Sequence, residues 1–162
     1  MDENGTRIFT IFLDIDGVLN RRIDWDRPYT LNDRCISAFG RFCQRLGAVR
    51  IILTSSWRGG FLSRQNKRNS LPIRELEEKL AVYGITVIGK VSGNNVGRTQ
   101  QILDFLEQHP QISPDFSFIL DDNPEEFDPG PPLDAYCTMD KKGFTDRDGE
   151  DIIRDLRRQK KL

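Results

Sequence analysis

The sequence has 162 residues, 37% of them apolar and 30% charged, with a formal net charge of −1. That composition suits one globular domain with a sizeable core over 1–162, and it supplies no global field to draw in nucleic acid or a membrane. No apolar run approaches the ~20 residues of a bilayer span. The three cysteines, Cys35, Cys43 and Cys137, form no C-x-x-C pair, and His109 is the single histidine; this argues against a disulfide frame or zinc site and excludes a histidine metal cluster.

The opening MDENGTR is acidic and polar, which argues against a secretory signal and leads to the expectation of a cytoplasmic protein. RIFTIFLD (7–14) is an apolar, aromatic and β-branched run, and predicts a buried strand. A helix is predicted over 30–47, where Cys35, Phe39, Phe42 and Leu46 recur at helical spacing. Thr30 and Asp33 resemble a capping pair for it, and Gly47 can end it. AVRIILTSS (48–56) reads as a second buried strand, and 58–72 as a polar, basic loop. A helix follows over 72–84, with Pro72 near its start and Gly84 as its stop. A third strand is expected over 85–89, a helix over 97–110 and a fourth strand over 116–122. A fifth strand over 135–139 and a terminal helix over 145–159 complete the chain. The cysteines fit core positions, and His109, before Pro110, fits a helix cap or the surface.

Strands alternating with helices imply crossover units and a parallel sheet covered on both faces. In such sheets chemistry gathers beyond the carboxyl ends of the strands. Three of the predicted strands end in polar groups: Asp14 with Asp16, Thr54 with Ser55, and Asp121 with Asp122. Carboxylates crowded at strand ends repel one another and lose hydration, so a compensating cation is expected among them.

Asp-x-Asp-Gly after strand one, Thr-Ser-Ser after strand two, Arg98 opening the helix before strand four, and Asp-Asp ending strand four occur in that order. With LDIDGVLN, ILTSSWR and ILDDNPEEF, this resembles the haloacid dehalogenase (HAD) superfamily, in particular the phosphatase domains of nucleic-acid repair proteins of the polynucleotide-kinase phosphatase type. YCTMDKKGFTDRDGEDII is similar to the final strand, Gly-Phe/Leu-Thr turn and last helix of that group. The resemblance implies an α/β, Rossmann-like three-layer sandwich with a parallel sheet in the order 3-2-1-4-5 and minimal or no cap. It implies a Mg²⁺-dependent phosphatase acting through an aspartyl-phosphate. Asp14 is then the nucleophile and Asp16 the general acid and base, with the Asp16 backbone carbonyl at the metal. Gly17 would allow a tight turn near the phosphate. Thr54, helped by Ser55, would bond a phosphoryl oxygen, and Arg98 would balance charge. The family more often has lysine there, and Lys90 is a nearby competitor. Asp14, Asp16, Asp121 and Asp122 form the metal set, with Asp122 the direct ligand of the last pair and Asp121 holding Arg98 or a metal-bound water.

The segments after Leu19 and after Arg58 are too short for a cap domain. An open site suits a bulky phosphorylated partner, such as a nucleic-acid end or a phosphoprotein; a small metabolite or nucleotide is the alternative if the loops fold over it. Arg21, Arg22, Trp25 and Arg27 lie near motif one, and Trp57, Arg58, Arg64, Lys67 and Arg68 follow motif two. Such residues can stack bases and meet phosphates, although the tryptophans equally fit packing of the loops. A non-catalytic module on the same scaffold would be expected to lack Asp14 or Asp16. A mutase would need a closing cap, and a dehalogenase would lack the second aspartate and the metal. The expected state is a monomer away from membranes.

Overall fold

The computed structural model describes residues 4–54, 71–92 and 96–162. Its sheet has five parallel strands: β1 (Ile8–Leu13), β2 (Ala48–Leu53), β3 (Thr86–Lys90), β4 (Ser117–Asp121) and β5 (Ala135–Cys137). Their spatial order is β3-β2-β1-β4-β5, the arrangement implied by the resemblance. Four α-helices occur among the described residues: α1 (Asp33–Leu46), α2 (Leu71–Ala81), α3 (Arg98–Gln108) and α4 (Asp146–Arg158).

Alternation along β1 sets the layers. Phe9, Ile11 and Leu13 join a cluster with Phe39 and Phe42 of α1, Leu76 and Leu80 of α2, and Ile152 and Ile153 of α4. Phe12, pointing the other way, packs with Ile52, Ile119, Ile102 and Phe105 on the α3 side. Among the described residues, one face therefore carries α1, α2 and α4 and the other carries α3. Phe144 stands edge-on to Phe39 with ring centroids 5.5 Å apart and tilts against Phe42 at 5.3 Å, fixing the segment before α4 to α1.

The termini of the elements differ from expectation in ways that have local causes. Asn32, not Thr30, caps α1: its side chain accepts from Arg34 N and Cys35 N at 3.0 and 3.2 Å. Thr30 lies too far upstream to reach those amides, and its hydroxyl donates to the Arg27 carbonyl. Helix α2 begins at Leu71 and ends at Ala81; Gly84, at φ 72°, closes the turn beyond it. Strand β5 stops at Cys137. Thr138 still donates its N–H to the Asp121 carbonyl at 3.0 Å, but Met139 instead bridges to Gly143 across a tight turn. Cys35 and Cys43 are buried as expected, whereas Cys137, on the short edge strand, is exposed. His109 caps α3, its Nδ1 lying 2.7 Å from the Phe105 carbonyl and its ring stacked on Phe105. Thr145 and Asp148 form a reciprocal capping box at the start of α4. No helix among the described residues is long and apolar enough to cross a membrane.

Candidate active site

The parallel register brings the strand ends into one row. Asp14 N donates to the Leu120 carbonyl of β4, and Thr54 N donates to the Leu13 carbonyl of β1, both at 3.0 Å. Asp14 thus lies between Thr54 on one side and Asp121–Asp122 on the other. Asp14, Thr54 and Asp121 are buried, and Asp122 is half-buried. One carboxylate oxygen from each of Asp14, Asp121 and Asp122 falls within 4.8 Å of the others.

Burial is the largest influence on Asp14, and it pushes the carboxyl up to about 9, reinforced by the charge of Asp121 and by a hydrogen bond with Asp122 and opposed by Arg98. Asp121 is pushed up to about 6, again chiefly by burial, against the lowering effects of the Asn123 backbone N–H and Arg98. A buried all-oxygen set that resists ionisation in this way is chemically suited to a hard divalent cation such as Mg²⁺, whose charge would relieve the cluster.

Among the described residues, Arg98 is the cation seen to meet this cluster. Its guanidinium reaches Asp121 Oδ2 at 2.5 Å and Glu126 Oε2 at 2.8 Å. Asp121 Oδ1 accepts from Asn123 N at 2.8 Å, so both Asp121 oxygens already have donors. Lys90 ends β3 opposite Leu53, one strand further out. Glu126, unremarked in the sequence because it follows the motif by several residues, is the second anchor of Arg98.

Gly17 shows why the turn needs a glycine. Its φ is +81°, and a Cβ there would come within 2.3 Å of Asp122 Oδ2. Only glycine lets the turn after β1 close over the strand-four carboxylate. The Gly17 N–H itself is turned onto Asn20 Oδ1 at 2.9 Å, and its carbonyl accepts from the Thr138 hydroxyl at 2.8 Å.

Asn20 is the residue that sequence reasoning missed. It is fully buried, and all four of its hydrogen-bonding positions are used. Oδ1 accepts from Gly17 N and from Trp25 Nε1, the latter at 2.8 Å. Nδ2 donates to Asp16 Oδ1 at 2.9 Å and to the Thr30 carbonyl at 2.8 Å. Asp16 is thereby held from behind through one oxygen. An asparagine closing an apolar run, four residues after a carboxylate, was the available signal.

Trp25 sits on a short 3-10 turn, Arg22–Asp26, and the residue is 41% exposed while its ring N–H is bonded to Asn20. It both anchors the flap and offers a face to solvent. Arg21 pairs with Asp24, whose carboxylate also accepts from Asn32 Nδ2. Arg22 pairs with Asp140, and Arg27 is exposed. Ser55, Trp57, Arg58, Arg64, Lys67 and Arg68 lie outside the described residues.

Residues 10–148 match the family model described as the HAD domain in Swiss Army Knife RNA repair proteins. The chain belongs to this family. The match takes in β1 from Thr10 onward, the other four strands and the strand-end carboxylates. A search of curated proteins finds no match. Family membership carries phosphohydrolase chemistry in general terms, and the three-aspartate cluster is compatible with the Mg²⁺ that HAD proteins typically use.

Proposed function

We propose that this chain is a Mg²⁺-dependent phosphomonoester hydrolase that removes a terminal phosphate from a nucleic-acid strand through an aspartyl-phosphate on Asp14. The observation that carries this reading is the buried Asp14 carboxylate at the end of the central strand, within 4.8 Å of Asp121 and Asp122 and facing Arg98. Asp14, the Asp16 carbonyl and Asp122 would hold the cation, with Asp121 beside it; when bound, it would supply charge neutralisation to the carboxylates and to a phosphoryl oxygen.

The chain's own residues then divide the work. Asp14 attacks phosphorus as the bond from phosphorus to the leaving oxygen breaks. Asp16 gives its proton to that oxygen, then takes one from the water that hydrolyses the acyl phosphate. Asn20, bonded to Asp16 Oδ1, would orient the carboxyl for proton transfer. Thr54, directly after β2, would donate to a phosphoryl oxygen, with Ser55 as its proposed helper. Arg98, fixed by Asp121 and Glu126, offsets negative charge as the transition state forms.

The family description favours a nucleic-acid end over a phosphoprotein, a metabolite or a free nucleotide. A screen of 3′- and 5′-phosphorylated oligonucleotides, nucleotides, phosphosugars and phosphopeptides tests this directly. The expected result is release of phosphate, abolished by EDTA, with an oligonucleotide as the preferred substrate. Turnover that survives EDTA would overturn the metal-dependent mechanism, and a preference for a phosphosugar would overturn the substrate assignment.

A further inference from the structure

A groove of about 580 Å³ opens between the first half of α1 and the segment that leads into α4. Five of its lining residues are cations: Arg21, Arg34, Arg41, Lys141 and Lys142. We propose that this groove is the track for the phosphodiester backbone of the strand whose terminal phosphate enters the aspartate site. The proposal rests on the nucleic-acid phosphatase reading and extends it to a second, non-catalytic surface.

The charge in the groove is not balanced by the acids around it. Asp33 and Asp146 also line it, but Asp33 is tied to Lys79 at 2.8 Å and Asp146 to Arg41 by three hydrogen bonds. Asp24 engages Arg21. Among the described residues, Arg34, Lys141 and Lys142 make no ion pair, and all three are exposed. In a chain whose formal net charge is −1, three uncompensated cations around one groove form a local field that favours a polyanion.

The backbone holds these cations together. Cys35 Sγ donates to the Lys142 carbonyl at 3.6 Å. Gly143, at φ +64°, permits the approach, since a Cβ there would come 2.5 Å from that sulfur. The 141–142 segment is therefore pinned against the first turn of α1, which carries Arg34. Two links tie the groove wall to the turn that bears Asp16. Arg21 on its wall directly follows Asn20, whose amide holds Asp16. Arg22 N donates to the Asp140 carbonyl at 2.8 Å, joining the flap to the lysine-bearing segment. A strand lying along the groove would meet Arg21 together with Arg34, Lys141 and Lys142.

The test is binding, read without turnover. Fluorescence anisotropy in EDTA would follow a labelled, ~10-nucleotide single-stranded RNA bearing a terminal phosphate, with the full chain as wild type and as the Arg34→Ala/Lys141→Ala/Lys142→Ala triple variant. Each phosphate contact on a single strand contributes about 0.7 to the log–log salt slope. The triple variant should lose about 2 from that slope and bind roughly tenfold more weakly at moderate salt. An Arg74→Ala/Arg157→Ala/Lys160→Ala variant removes the same charge from exposed positions outside the groove and should bind as wild type does. Circular dichroism verifies the fold of each, and an Arg34→Ala single variant gives a graded reading if the triple variant is poorly folded. Unchanged affinity and slope in the groove variants, equal loss in both triple variants, or stronger binding of a phosphopeptide than of the RNA would overturn the proposal. Failure of phosphate release from every substrate would overturn the catalytic reading alone, because this measurement needs no turnover.

Discussion

The strand-end carboxylates and the turn that follows β1 are adjacent in space and opposite in their electrostatic accounting. In the turn, each donor of Asn20 has an acceptor and each acceptor position a donor, through Asp16, Gly17, Trp25 and Thr30. At the strand ends, Asp14, Asp121 and Asp122 crowd together under burial that pushes Asp14 up to about 9. A satisfied polar network rigidifies the backbone, whereas crowded buried carboxylates destabilise the fold when ionised. The lesson is that the strain belongs to the site that needs a cation and a phosphoryl group, while the neighbouring turn supplies the stiffness that keeps the strained groups in place.

The comparison is broken most completely at Asp14. Asp14→Asn should lower kcat by at least ~10⁴-fold, since it removes the nucleophile. The same change should raise Tm in EDTA near neutral pH, because an amide can be buried beside Asp121 and Asp122 without the proton that Asp14 must take up on folding. Wild-type turnover in this variant would refute the mechanism, and a lowered Tm would refute the account of strain. Next comes Gly17→Ala, which forces a Cβ onto Asp122 at a positive φ. It should cost about 1–3 kcal/mol in denaturant melts and weaken Mg²⁺ binding by calorimetry.

Asp16→Asn and Asn20→Ala sharpen the contrast from the stiff side. Loss of the general acid should slow hydrolysis of a poor leaving group by ~10²–10⁴-fold, and p-nitrophenyl phosphate, with its good leaving group, by much less. Asn20→Ala should reproduce a fraction of that leaving-group dependence and destabilise the fold by about 1–3 kcal/mol, since it leaves buried partners unsatisfied. Equal rate losses on both substrates would assign Asn20 a purely structural role.

A pH series separates the two regions. The ordinary value for Asp14 is 3.8, and the folded chain holds it near 9. The folded protein therefore retains a proton that the unfolded chain releases. The stability linked to that proton is full below about pH 4 and is lost as pH rises toward about 9. Melts in EDTA should show Tm falling across that window, and Mg²⁺ should raise Tm more at about pH 8 than at about pH 6, because proton and metal compete for the same carboxylates. A metal-induced shift that is equal at both pH values would break the link. The smallest effect is expected for Trp25→Phe, which keeps a ring in the flap but deletes the N–H bonded to Asn20; kcat should fall ~2–5-fold with little change in KM.

Much of this arrangement was legible in the sequence because apolar runs and strand-end polar residues are local signals. RIFTIFLD encodes the central strand, and the alternation of Phe9, Ile11 and Leu13 with Phe12 sorts its side chains between two cores. The order of the four motifs carried the topology and the position of Asp14, Asp121, Asp122 and Arg98. What was not legible depends on chain reversal. Asn20 reads as the end of an apolar run until the turn folds its amide beneath Asp16. Asn32 displaces Thr30 as the cap because backbone direction decides which oxygen faces the free amides. The groove could not be read from composition, since Arg34 and Lys141 are more than a hundred positions apart and the acids that dilute the overall charge lie elsewhere or are already paired.

The turn after β1 is also tied to the far end of the chain. The Thr138 hydroxyl bonds the Gly17 carbonyl, and Phe144 N bonds the Val18 carbonyl at 2.7 Å. During synthesis, then, the ribosome delivers Asp14 and Asp16 early, but the residues that clamp their turn emerge more than a hundred positions later. The nascent chain carries its carboxylates through most of translation without the clamp, and a stalled product ending before Thr138 would hold the chemical groups of the site but not its geometry.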